Sequence, residues 1–123
     1  MTIQQELGKR GEEFAVAYLE DLGYTILERN WRYKKAEVDI IAKDDGILVC
    51  IEVKSRSYDY YGPPDASINR QKESLLIEAL QSYMEVINHE WEIRFDIMTI
   101  RYHADEAPAI KHLKAAFFPD LSG

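Results

Sequence analysis

The chain has 123 residues, 46% of them hydrophobic and 30% charged, which predicts one globular domain covering 1–123. Its formal net charge of −7, taken alone, argues against tight nucleic-acid binding. No run of about 18 apolar residues is present to span a membrane, and the N-terminus lacks a secretory-signal pattern. The single cysteine, Cys50, excludes an intrachain disulfide and fits a cytoplasmic, reducing environment.

Local signals predict helices and strands in a clear order. Thr2 and Gln5 resemble a capping box and Gly23 a helix stop, so they bound a first helix. Asp44-Asp45-Gly46 is a strong hairpin turn signal. The predicted elements are a helix at 3–22, a strand at 24–33, hairpin strands at 37–43 and 47–54, a proline-rich loop at 55–68, a helix at 69–88 and a strand at 91–102.

The C-terminal segment leaves one choice open. Residues 109–118 suit either a short helix or a strand. The order αβββαβ before it predicts a mixed β-sheet flanked by helices, an α/β domain. The order of the strands within that sheet does not follow from the sequence.

Three charged side chains in the apolar hairpin form the candidate site. Glu52 and Lys54 alternate with Val53 and therefore point to the same face of their strand. Asp39 lies on the partner strand, where antiparallel pairing brings it near Glu52. Burying such charges is costly unless a cation and an anionic substrate compensate. The alternatives are a solvent-facing aspartate and a surface pair of Glu52 with Lys54, which would contribute little energy.

Two converging carboxylates and a lysine suit metal-assisted phosphodiester hydrolysis. We predict that Asp39 and Glu52 bind Mg²⁺, or Mn²⁺ in its place, and that Lys54 holds the attacking water or a phosphate oxygen. Glu12 is a further candidate ligand, directly or through water. It lies on the first helix beside two glycines, each unfavourable there by about 1 kcal/mol, which suggests a close approach. The alternative is that Glu12 and Glu13 are simply solvated.

Basic residues surround the candidate site. Residues 29–56 hold seven basic and five acidic side chains, a local balance of +2, whereas the rest of the chain carries −9. Because basic side chains contact phosphates and aromatic rings stack on bases, we predict nucleic-acid contacts here. Trp31 and Tyr33 equally suit a core position. The predicted nucleic-acid contacts are Arg29, Arg32, Lys34, Lys35, Arg56 and Lys72.

The remaining polar and aromatic groups carry weaker signals. Arg94 and Asp96 share one strand face, and we predict a structural role for them. The three histidines show no metal-ligand spacing. Three tyrosines of the proline-rich loop suit either base contact or packing over the sheet; they are Tyr58, Tyr60 and Tyr61.

The ordered motifs resemble the small bacterial YraN family, over a span from Gly8 to about Phe117. That family is similar to the PD-(D/E)xK nuclease superfamily and to archaeal Holliday junction resolvases. The resemblance implies a restriction-endonuclease-like core, a Mg²⁺-dependent nuclease site and a homodimer. Asp39, Glu52 and Lys54 match the central motif, and Glu12 matches the helix-borne acid. The motifs are Gly11-Glu12-x-x-Ala15, Arg29-Asn30, Glu37-Val38-Asp39-Ile40-Ile41, Glu52-Val53-Lys54-x-Arg56, Gly62, Lys72 and Arg94-Phe95-Asp96.

Three hypotheses about function follow. The first is a cytoplasmic, metal-dependent nuclease that cleaves structured or branched DNA, favoured by the intact Asp39, Glu52 and Lys54. The second is a non-catalytic nucleic-acid-binding or protein-assembly module that retains the nuclease fold. The third is a structural domain whose charges are solvated. The net charge of −7 favours the second and the third.

Overall fold

The computed structural model describes residues 2–57, 61 and 68–119. Within these ranges the order is αβββαββ, so the predicted α/β class is confirmed and residues 109–118 resolve as a strand rather than a helix. The elements are α1 (Ile3–Asp21), β1 (Thr25–Tyr33), β2 (Ala36–Asp44), β3 (Ile47–Arg56), α2 (Arg70–Val86), β4 (Ile93–Arg101) and β5 (Ala109–Phe117).

The predicted caps fix both ends of α1. The backbone N–H of Gln5 donates to the Thr2 hydroxyl at 3.1 Å, and the Thr2 N–H donates to the Gln5 side chain at 2.9 Å. At the other end Gly23 takes φ +95°, a conformation that glycine adopts without strain. Neither helix in the described ranges has the length and apolar character needed to cross a membrane.

The hairpin forms as its turn signal predicts. Asp45 and Gly46 both have positive φ, 48° and 88°, as the two-residue turns of type I′ require. Asp44 pairs with Ile47 directly across the turn, and the register continues to Ile40 opposite Ile51. The next step of that register would set Asp39 opposite Glu52.

A parallel pair of strands forms the centre of the sheet. The strand order is β1-β2-β3-β4-β5, with β3 and β4 parallel and the other neighbours antiparallel. Parallel neighbours need a crossover connection, and α2 lies in it. The first turn of α2 therefore returns to the end of β3 that carries Glu52 and Lys54.

Each face of the sheet has its own helix and its own apolar core. Leu48 and Cys50 belong to the core under α2, whereas Val49 and Ile51 belong to the core under α1. Because β3 is buried on both faces, its sequence is a continuous apolar run. That run stops at Glu52, so the first charged side chain of β3 lies on the α2 face at the border of the core.

Candidate active site

Strands β2 and β3 separate at the position of Asp39. Their pairing ends at Ile40 opposite Ile51, although both strands continue beyond this point. Alternation in β2 also breaks here, because Val38 and Ile41 both join the α2-side core while Ile40 joins the α1-side core. The Asp39 carboxylate accepts a hydrogen bond from the Val53 N–H at 2.8 Å. The side chain thus takes the place of the backbone acceptor that β2 no longer offers.

A left-handed residue in β1 lies across from this break. Arg29 pairs with Ile40 and Trp31 with Val38, so Asn30 lies opposite Asp39. Asn30 has φ 53°, a conformation that asparagine tolerates better than most residues. Its side chain lines the same groove as Glu12 of α1 and acts to lower the pKa of that carboxyl. The left-handed residue of β1 thus lies between the helix-borne acid and the break in β2.

Glu52 is buried with only half of its carboxylate satisfied. Its relative exposure is 6%. The Lys72 ammonium of α2 forms an ion pair with Oε1. The other oxygen, Oε2, is buried without a hydrogen-bond partner among the described residues. A buried carboxylate oxygen left in this state is destabilising unless a further donor or a cation reaches it.

Burial and crowding perturb the acids of this site. Burial, followed by the negative charges of Glu52 and Glu12, raises the pKa of Asp39 to about 8, and the hydrogen bond from Val53 only partly opposes this. Burial also raises the pKa of Glu12, with the charges of Glu37 and Glu52 adding to it. The charge of Glu52 thus raises the pKa of both Asp39 and Glu12, a repulsion that a bound cation relieves.

Close packing of α1 on β3 explains one of the two helix glycines. A Cβ at Gly11 would lie 1.9 Å from the Ser55 hydroxyl oxygen, so glycine lets the helix approach the strand. The Tyr102 hydroxyl donates to the Leu7 carbonyl at 3.0 Å, which also links α1 to the sheet. No other backbone approaches Gly8 in the described part of the chain, since an added Cβ there would meet no atom within 4 Å.

Two grooves flank the acids. The α1 groove, of about 560 Å³, includes Gly8, Glu12, Arg29 and Asn30 in its wall. The α2 groove, of about 320 Å³, is lined by Lys35, Glu37, Asn69, Lys72 and neighbouring residues. Helix α1 thus lines the groove that contains Glu12, and helix α2 lines the groove that contains Lys72.

Lys54 extends the site along β3. Strand alternation places it on the same face as Glu52, and it pairs with Thr99 of β4. It is half-buried. Over the described part of the chain, no three or more histidine, cysteine or acidic side chains cluster closely enough to form a ready-made metal site. Asp39 and Glu52 thus form a pair, and the charge of Glu12 helps to raise the pKa of Asp39.

The predicted phosphate contacts divide into three groups. Arg29 lines the α1 groove, and Lys35 and Lys72 line the α2 groove, so these three border the candidate site. Arg56 is half-buried and donates to the Ser55 carbonyl at 3.0 Å. The remaining two are engaged in exposed ion pairs, Arg32 with Glu37 at 3.0 Å and Lys34 with Glu78 at 2.9 Å.

The aromatic residues of β1 take the core position. Trp31 packs edge-on against Tyr83 of α2, with ring centroids 5.1 Å apart, and stacks on Tyr33. These contacts favour packing over base stacking as their role. Tyr61 is almost fully exposed. Tyr58 and Tyr60 lie outside the described residues.

A second buried network lies on β4 and β5. Asp96 accepts two hydrogen bonds from Arg94 at 2.9 Å, one from His112 at 2.8 Å and one from the Ala115 N–H at 3.0 Å. Burial alone would raise the pKa of Asp96, but these bonds outweigh it and hold the pKa below its usual range. Arg94 also reaches Asp44, at 3.0 Å.

This network supports the structural role predicted for Arg94 and Asp96, and it includes a residue that the sequence did not single out. His112 has no motif spacing, and its role depends on β5 being a strand. Ala115 is held in a left-handed conformation, φ 54°, where β5 bulges opposite Asp96. A bulge of this kind has no local sequence signal when the residue in it is alanine.

Comparison with known proteins places the chain in a family. The model of the uncharacterised protein family UPF0102 matches residues 11–100. The chain belongs to this family. The matched span contains Glu12, Asp39, Glu52 and Lys54, and this assignment confirms the YraN-like resemblance.

Full-length relatives agree with the family match. A UPF0102 protein of Flavobacterium johnsoniae is 44% identical, over 96% of this chain and 98% of the relative. One from Thermodesulfovibrio yellowstonii is 42% identical, over 92% and 96%. One from Bacteroides thetaiotaomicron is 40% identical, over 98% and 99%. The observed α/β architecture is consistent with a restriction-endonuclease-like core.

Proposed function

We propose that this protein is a cytoplasmic, Mg²⁺-dependent nuclease that hydrolyses phosphodiester bonds in structured or branched DNA. The observation that carries the proposal is the half-buried Asp39 beside the buried Glu52, at the break between β2 and β3. Two acids held side by side and largely away from water destabilise the fold when both are ionised. Such an arrangement is typical of sites where function, rather than stability, selects the residues.

The donor set fits a divalent cation. The buried Oε2 of Glu52 has no hydrogen-bond partner among the described residues. Asp39 offers carboxylate oxygen beside it, and both are hard oxygen donors of the type that Mg²⁺ prefers. Asp39 and Glu52 would hold the ion, with Glu12 contributing through a water molecule. The ion, when bound, would lower the pKa of a coordinated water and offset the charge of the phosphate.

The chain's own residues divide the remaining work. Val53 orients the Asp39 carboxylate through its N–H. Lys54, on the face of Glu52, would hold the attacking water or a nonbridging phosphate oxygen. Arg29 and Lys35, on opposite sides of the acids, would position the backbone of the nucleic acid. The preference for branched DNA and the homodimer that would suit it are carried over from the family resemblance.

Cleavage assays test this function directly. Labelled branched, single-stranded and duplex DNA are incubated with the wild type in Mg²⁺ and in a chelator. We expect the wild type to cleave DNA in the presence of Mg²⁺ and not in the presence of the chelator. Because Glu52 is a proposed ion ligand, Glu52→Gln should lower the rate by at least about 100-fold. The matched control is Glu85→Gln, which removes an exposed glutamate near the end of α2 and should leave the rate unchanged.

Two outcomes would contradict the proposal in different ways. Binding of all three DNAs with no cleavage by the wild type would favour the non-catalytic module. That alternative is supported by the net charge of −7. Cleavage that survives in Glu52→Gln would place the chemistry elsewhere on the molecule.

The role of Lys54 is tested separately. A rate unchanged by Lys54→Ala would remove the water-orienting role from Lys54.

A further inference from the structure

The cation nearest the acids is one that the chain itself provides. Lys72 forms an ion pair with Oε1 of Glu52, yet the two side chains differ in exposure, 46% for Lys72 and 7% for Glu52. The lysine therefore reaches inward from a half-exposed position to a buried carboxylate. Its backbone is fixed, because the Lys72 N–H donates to the Asn69 side chain at 2.8 Å. The ammonium can move away from Glu52 without disturbing the helix or the core.

The position of Lys72 on α2 is unfavourable for a positive charge. It lies in the first turn, where the unpaired N–H groups of a helix carry a partial positive charge. Acidic residues are the ones that stabilise this end of a helix. The attraction of Glu52 is therefore the interaction that draws the ammonium inward, and a stronger cation at Glu52 would weaken that attraction.

The α2 groove offers the ammonium a second position. Lys35, which is exposed, and Lys72 line the same groove. An ammonium released from Glu52 would stand near a second positive charge in a space open to solvent. Two ammonium groups that face one groove suit the phosphate of a nucleic-acid backbone.

We propose that Lys72 is an exchangeable counter-ion: it occupies Glu52 until a divalent cation binds, and is then released to contact substrate phosphate in the α2 groove. This inference rests on the proposed function, since it requires the cation. The exchange couples the two binding events, because the ion that takes Glu52 frees the lysine for phosphate. By reciprocity, phosphate bound to Lys72 would increase the affinity of the site for the ion.

Titration of Mg²⁺ alone into the full chain tests the exchange without any nucleic acid. Because Lys72→Gln removes the competing cation, it should bind Mg²⁺ at least about fivefold more tightly than the wild type. Lys72→Arg keeps a competing cation and should stay close to the wild type. The matched control is Lys111→Gln, which removes an exposed lysine of β5 outside the candidate site and should not change Mg²⁺ affinity.

A direct spectroscopic readout accompanies the titration. The ¹⁵N resonance of the Lys72 ammonium should shift when Mg²⁺ saturates the wild type and should match that of a solvated lysine. A resonance that stays unchanged at saturation would overturn the exchange, as would Mg²⁺ affinity in Lys72→Gln equal to or weaker than that of the wild type. Absence of Mg²⁺ binding in both proteins would overturn the metal site itself, and with it the proposed function.

Discussion

The Asp39→Asn variant is expected to gain stability over the metal-free wild type as the pH rises. Burial and the neighbouring acids raise the pKa of Asp39 from 3.8 to about 8. Between these values the folded wild type keeps a proton that the unfolded chain has released, so its free energy of unfolding falls with increasing pH. Asparagine has no proton to lose, and its side-chain oxygen can still accept from the Val53 N–H.

Urea unfolding in a chelator, at intervals from pH 4 to pH 9, measures this difference. The advantage of Asp39→Asn should widen up to about pH 8 and then level off. It should reach at least about 1.4 kcal/mol, the equivalent of a single pKa unit. Asp105→Asn, which alters an exposed aspartate, should show no comparable trend. An advantage that is constant or shrinks with pH would mean that the Asp39 carboxyl is not destabilised by its surroundings.

Asp96→Ala is expected to have the largest effect on stability. The Asp96 side chain is fully buried and accepts hydrogen bonds from Arg94, His112 and Ala115. Its removal leaves the Arg94 guanidinium, only 15% exposed, without the carboxylate that it binds in a bidentate manner. Loss of one member of a buried ion pair costs about 3–5 kcal/mol. Denaturant unfolding at neutral pH checks this value.

The pH dependence of the same variant gives an independent check. Because the folded pKa of Asp96 lies below its unfolded value of 3.8, its contribution is complete above that value and is lost as the pH falls through the folded pKa. The cost of Asp96→Ala should therefore be constant near neutrality and smaller in acid. A cost below about 1 kcal/mol at neutral pH would show that the network is not structural.

Asp96 and Asp39 have opposite effects on the stability of the fold. Asp96 is buried and accepts hydrogen bonds from Arg94, His112 and Ala115, so its ionised form is favoured. Asp39 is half-buried beside other acids, and its ionised form is disfavoured. A carboxylate of the first kind stabilises the fold, whereas one of the second kind lowers its stability and is therefore a candidate functional group.

Local physics explains how much of this could be predicted from the sequence. The Asp44-Asp45-Gly46 turn fixes the hairpin register, and that register places Asp39 beside Glu52. The capping box and Gly23 set the limits of α1 in the same local way. Such features depend on residues within a few positions of one another, so a single sequence reveals them.

The features that the sequence did not reveal depend on distant contacts. The pairing of Lys72 with Glu52 follows from the crossover through α2, which brings residues 20 positions apart together. His112 meets Asp96 only because β5 adds to the edge of the sheet beside β4. The left-handed conformation of Ala115, which alanine does not favour locally, accompanies a hydrogen bond from its N–H to Asp96, 19 positions away.

Calorimetric titration of Mg²⁺, repeated with Mn²⁺, into the wild type and Asp39→Asn tests the central claim most directly. We expect saturable binding to the wild type and at least about 100-fold weaker binding to the variant, because the variant lacks one of the two carboxylates that would hold the ion. Equal heats and equal affinities in the two proteins would contradict a metal site built on Asp39 and Glu52.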